Sequence, residues 1–73
     1  MIYSGKNFLI AGVSASGLSA GRLLLGRGAN VFLYDQSPNA ELKKLCDSGA
    51  VDISNYSAEK TDNILKQIYL LIK

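Results

Sequence analysis

Phe8-Leu9-Ile10-Ala11-Gly12-Val13-Ser14-Ala15-Ser16-Gly17 is the stretch that decides the fold. Its first four residues are an unbroken apolar run, preceded by the polar Gly5-Lys6-Asn7. Such a run suits a strand covered on both faces in a parallel sheet. The residues from Gly12 to Gly17 form a turn of small side chains. From Ala15 to Arg27 the pattern becomes helical, with Leu18, Leu24 and Leu25 among the apolar positions, and Gly26 or Gly28 ends the helix. Strand, glycine-bearing turn and helix in direct succession predict the opening unit of an α/β domain.

The chain beyond repeats the alternation. Asn30 opens a second apolar run, Val31-Phe32-Leu33-Tyr34, whose β-branched and aromatic residues favour a strand. Asp35-Gln36-Ser37-Pro38 punctuates it, with Ser37 expected as the N-cap of a short helix and Pro38 at its first helical position. Leu42, Leu45 and Cys46 would form the apolar face of that helix, Lys43 and Lys44 a solvated one, and Gly49 its stop. Ala50-Val51-Asp52-Ile53 reads as a brief strand. Ser57 caps a third helix running to about Lys66, with Ile64 and Leu65 inward; the apolar run from Ile68 to Ile72 suits either a continuation of that helix or another buried strand, and the strand is the preferred reading. The order predicts a Rossmann-like parallel sheet with right-handed crossovers and flanking helices. The last apolar run ends almost at Lys73, so the expectation is a truncated sheet within a longer multidomain protein, with an open strand edge that promotes self-association.

Composition narrows the function classes. Hydrophobic residues are 48% of the chain and charged ones 19%, which suits a globular core rather than a disordered tail. The net charge of +2 is scattered without a long single-sign run and gives nucleic-acid binding no support. No apolar run approaches the roughly 18 residues of a membrane span, and the N-terminus has no signal-peptide character, so a cytoplasmic protein is expected. Cys46 is the single cysteine and there is no histidine, which leaves neither a disulfide framework nor a Cys/His zinc site. Cys46 reads as a small core residue.

The turn carries the chemistry. Gly12-Val13-Ser14-Ala15-Ser16-Gly17 is a variant of G-x-G-x-x-G, placed after a strand and before a helix. Gly12 permits the tight turn and Gly17 lets helix and strand approach. Backbone N–H groups at the helix start then point at an anion, reinforced by the helix dipole and by the hydroxyls of Ser14 and Ser16. Ser14 replaces the second glycine and hinders the close backbone approach of a dinucleotide pyrophosphate, which weighs against NAD. The plainer reading is that these small residues only allow tight strand-to-helix contact, with Ser14 or Ser16 as an N-cap. Asp35, 18 residues beyond Gly17, follows the second strand at the position of the acidic residue that accepts from a ribose hydroxyl or a base N–H. Its plainer role is to open the turn before Pro38. No nucleophile–base pair, carboxylate pair, metal cluster or P-loop pattern is visible, so catalysis by residues 1–73 alone is not expected.

With turn and acidic anchor in place, nearly the whole chain resembles the N-terminal domain of the Mur ligases, the D-glutamate-adding branch in particular. Gly5-Lys6-Asn7, Gly12-x-Ser14-x-Ser16-Gly17-Leu18-Ser19, Leu23-Leu24-x-x-Arg27-Gly28 and Tyr34-Asp35 carry the resemblance in register. It implies that Ser14, Ala15, Ser16 and Gly17 meet the diphosphate of UDP-N-acetylmuramoyl-L-alanine, and that Asp35, Gln36 and Ser37 meet the uracil. It further implies an ATP- and magnesium-dependent amide-forming ligase of peptidoglycan biosynthesis, whose catalytic groups lie in other domains. The competing expectation is an NAD(P)-binding domain of an oxidoreductase or a nucleotide-sensing module.

Overall fold

The computed structural model describes residues 3–37 and 39–72. Its elements are β1 (Asn7–Ala11), α1 (Ala15–Gly26), β2 (Asn30–Tyr34), α2 (Ala40–Asp47), β3 (Val51–Asp52), α3 (Ala58–Leu65) and β4 (Leu70–Ile72). All strand pairings are parallel and the sheet order is β3-β2-β1-β4. This is a Rossmann-like arrangement. The chain runs outward from β1 to β3 and returns to place β4 on the other side of β1, which puts a topological switch point at the β1/β4 border.

β1 is apolar throughout because it is paired on both sides and covered on both faces: Phe8, Leu9 and Ile10 are all buried. Alternation divides its side chains between two layers. Phe8 and Ile10 join Val31 and Leu33 of β2, Leu24 of α1, and Leu42 and Leu45 of α2 in the main core. On the opposite face Leu9 and Ala11 line a groove with Leu65 of α3 and Leu71 of β4. α1 and α2 therefore share one side of the sheet and touch each other, and α3 lies on the other. Arg27 caps the C-terminus of α1, and Gly28 and Gly49, both at positive φ, follow α1 and α2 as the sequence predicts.

Three expectations need correction. The N-cap of α2 is Asn39, not Ser37: Asn39 is extended and its Oδ1 accepts from the Leu42 N–H at 2.8 Å, whereas the N–H of Ser37 is tied to the Asp35 carboxylate in the preceding turn. Pro38, expected at the first helical position, lies outside the described residues, and the helix begins at Ala40. Leu65 is not inward; it sits half-exposed on the rim of the groove. The last strand is shorter than expected and not buried, with Leu70 and Leu71 each about half exposed. Among the described residues β4 pairs only with β1 and so forms an edge of the sheet. Ser57, in contrast, caps α3 as read, accepting from the Lys60 N–H.

Candidate functional site

The parallel register sets Ala11 beside Tyr34, so β1 and β2 end together and their following residues meet. The Gly12 N–H donates to the Tyr34 carbonyl at 2.9 Å, and Gly12 then reverses the chain at φ +79°, a conformation costing an L-residue roughly 1–2 kcal/mol. Val13 is buried. Its N–H donates to Asp35 Oδ2 at 2.9 Å, and its carbonyl accepts from Asn39 Nδ2 at 3.1 Å. The turn is thereby clamped to the start of α2 by two residues, Val13 and Asn39, that the sequence reading did not single out.

Ser14 follows in extended conformation as the N-cap of α1, with its side chain making no capping hydrogen bond. Ser14, Ala15 and Ser16 are exposed. Gly17 is buried, and a Cβ built on it would lie 3.2 Å from Ile10 Cγ2, so its close-approach role is real. The first bond into the helix runs from the Leu18 N–H to the Ser14 carbonyl at 2.8 Å. Among the described residues the N–H groups of Ala15, Ser16 and Gly17 have no protein acceptor. The other two helices differ. α2 has the Asn39 cap and Glu41 in its first turn, and α3 has the Ser57 cap and Glu59, whereas α1 has neither a side-chain cap nor an acid there. Its positive end is left to whatever anion approaches.

Asp35 is more heavily committed than its spacing suggests. Oδ2 accepts from Val13 N–H and from Asn39 Nδ2 at 3.0 Å, and Oδ1 accepts from Ser37 N–H at 3.0 Å in an Asx turn. Its own N–H donates to Ser54 Oγ, which in turn donates to Asp52 Oδ1. Asp35 thus performs the turn-opening role directly, and about one of its four lone-pair positions stays open. The Ser37 N–H, then the Val13 N–H, hold its carboxyl below the ordinary carboxylate range against a modest opposing effect of burial, and the Asn39 amide adds to the lowering.

A depressed folded-state pKa stabilises the fold fully above the unfolded value near 4, and the contribution is lost as pH falls through the lower folded value. Denaturant midpoints should therefore be level from pH 7 to about 5 and fall below pH 4. Asp35→Asn should lower the midpoint at pH 7, because at least one of the three donors loses its acceptor, and should flatten the acid limb. A variant with the wild-type acid limb would show that other carboxylates govern it.

Two cavities open beside this cluster. One of about 260 Å³ is lined by Tyr34, Asp35, Gln36, Leu42, Asp52 and Ser54, among others. The second, of about 320 Å³, is lined by Ala11, Gly12, Tyr34, Asp35 and Gln36. Asp35 and Gln36 are thus brought to the crevice next to the turn, while Ser37 lines neither cavity. Ser14, Ala15 and Ser16 are exposed and follow the buried Val13. Cys46 is partly buried against the main core, and burial, then Asp52 and Asp47, push its thiol pKa up, which keeps it protonated and unreactive at neutral pH. No grouping of acidic, Cys or His side chains suited to a metal ion occurs among the described residues, and no helix there is long and apolar enough to cross a membrane.

Fold and site together define a Rossmann-like α/β unit whose glycine turn and β2 tip meet at the C-terminal edge of the sheet. The chain matches no protein-family model, no curated protein and no solved structure.

Proposed function

We propose that this unit binds the diphosphate of a UDP-sugar at the opening of α1, with the base at the tip of β2. The observation that carries the reading is the α1 N-terminus itself: N–H groups of Ala15, Ser16 and Gly17 without a protein acceptor among the described residues, a Ser14 hydroxyl free of capping duty, and no acid in the first turn. A diphosphate supplies the acceptors and the negative charge that this terminus lacks. Asp35, with its remaining lone pair, and the exposed Gln36 and Ser37 flank the base position. The resemblance to the Mur ligases extends the proposal to UDP-N-acetylmuramoyl-L-alanine as ligand and to a D-glutamate-adding ligase as the whole enzyme. ATP, magnesium and the amide-forming step belong to other domains in that reading, and no residue of this chain is assigned to them.

The dinucleotide reading competes on fold alone, since the β3-β2-β1-β4 order is also that of a nucleotide-binding half of a dehydrogenase domain. Calorimetric titration with UDP, uridine and NAD separates the two. UDP should bind, uridine should bind at least tenfold more weakly for want of the diphosphate, and NAD should not compete with UDP. Equal affinity for UDP and uridine, or displacement of UDP by NAD, would overturn the proposal.

A further inference from the structure

Tyr34 is the last residue of β2 and stands beside Ala11 in register, so its side chain lies on the α3 face with Leu9 and Ala11. It is 41% exposed, although it ends a central strand and follows the fully buried Leu33. Three cavities meet at it. Two are the crevices it shares with Asp35 and Gln36. The third is an apolar groove of about 320 Å³ between sheet and α3, bordered by Leu9, Ala11, Ile53, Leu65 and Leu71. Tyr34 therefore borders both the crevices at the strand tips and the apolar groove.

The other described aromatic contacts do not involve it. Tyr3 and Tyr69 each meet Phe8 edge-on, Lys6 lies 4.3 Å from the Tyr69 ring centre, and Lys60 lies over Tyr56. Tyr34 has neither an aromatic neighbour nor a cation over its face among the described residues. Its backbone is nevertheless fixed, because its carbonyl holds the Gly12 N–H of the turn that leads to α1. A part-exposed aromatic side chain anchored one strand spacing, about 4.8 Å, from the start of the glycine turn is placed for the flat end of a nucleotide whose phosphates sit on that turn.

We infer that Tyr34 is the stacking platform for the nucleobase, a pyrimidine in the UDP reading, with the base lying on the tyrosine ring and its polar edge toward Asp35 and Gln36. Aromatic side chains stack bases without needing a hydrogen-bond code, and a base so placed covers the apolar surface that Tyr34 exposes. Tyr34 then selects for an aromatic ligand, and the α1 terminus for its charge. The inference rests on the diphosphate reading, and the two fail differently.

Wild type, Tyr34→Ala and Tyr34→Phe are titrated with UDP and with inorganic pyrophosphate, tyrosine fluorescence and calorimetry serving as readouts. Tyr34→Ala should weaken UDP roughly tenfold to a hundredfold. Tyr34→Phe, which keeps the ring, should stay within about twofold of wild type, and pyrophosphate affinity should be the same for all three. Unchanged UDP affinity in Tyr34→Ala would overturn the stacking role and leave the diphosphate reading standing, with Tyr34 then serving the apolar groove alone. Equal loss of UDP and pyrophosphate would also overturn it, by showing that the substitution disturbs the turn. Failure of both ligands on wild type would overturn the diphosphate reading and the stacking role with it.

Discussion

Replacing Gly21 with leucine is expected to remove a large part of the protein's stability at room temperature. Gly21 lies in the middle of α1, where the helix crosses α2, and it is buried. A Cβ built there would lie 2.7 and 2.9 Å from the two methyl carbons of Leu45 and 3.3 Å from Ile10 Cδ1. One added carbon already demands movement, and alanine is tolerated only if the Leu45 side chain turns away. Leucine adds three further carbons where Leu45, completely buried, has nowhere to go. Overpacking of this kind costs about 1–3 kcal/mol and occasionally more. A domain of this size rarely draws more than about 3–5 kcal/mol from its core. Chemical denaturation of Gly21→Leu should show a midpoint far below that of wild type. Gly26→Ala is the control: it is exposed, with nothing within 4 Å of its built Cβ, and should gain roughly 0.4–1 kcal/mol from reduced unfolded-state entropy. A Gly21→Leu variant as stable as wild type would mean that α1 and α2 do not cross where the structure places them.

Placing a glutamate at Ser16 should move stability and binding in opposite directions. Ser16 is the second residue of α1, exposed, in a first turn that holds no acid. A carboxylate there complements the helix dipole and should stabilise the fold by about 0.3–1 kcal/mol. The same charge stands where the diphosphate is proposed to sit. Two unit charges about 5 Å apart repel by roughly 0.8 kcal/mol in bulk water and more near a protein surface, and a diphosphate carries at least two. UDP affinity should fall at least tenfold, since about 1.4 kcal/mol is a factor of ten. Folding and binding are read separately, so a general disturbance of the protein cannot imitate the result. A Ser16→Glu variant that retains UDP affinity would place the phosphates elsewhere.

Much of this architecture is legible in the residues because local and tertiary requirements agree. Phe8-Leu9-Ile10-Ala11 reads as a doubly covered strand and is one, since β1 is paired on both sides and has helices on both faces. Gly12 sits where the chain needs a left-handed residue, and Gly17 where α1 meets Ile10. The misreadings occur where tertiary contact decides between locally equal choices. Ser37 and Asn39 are both good capping residues, and Asn39 prevails because its amide also reaches Asp35 and the Val13 carbonyl. Leu65, Leu70 and Leu71 are as apolar as Leu33, and their exposure depends on lying at the rim of the sheet, which periodicity does not encode. Nothing local marks Gly21, whose place is set by Leu45 on another helix.

The site was legible to a similar depth. The position of Asp35 followed from spacing and strand order, yet its partners did not, because the Val13 N–H and the Asn39 amide arrive only when β1, β2 and α2 come together. One local signal was present: an aspartate two residues before Ser37 is the pattern of an Asx turn, and it accounts for the Ser37 bond. The Asp35–Ser54–Asp52 chain had no such signal, since it joins the ends of β2 and β3.

In the proposed function the N–H groups opening α1 receive the diphosphate. Backbone amide resonances of isotopically labelled protein, followed during UDP titration, test it residue by residue. Ala15, Ser16 and Gly17 should shift most, Gln36 less, and Val13, whose N–H is already held by Asp35, least among the turn residues. Saturable shifts confined to other parts of the sheet, with Ala15, Ser16 and Gly17 unmoved, would contradict it.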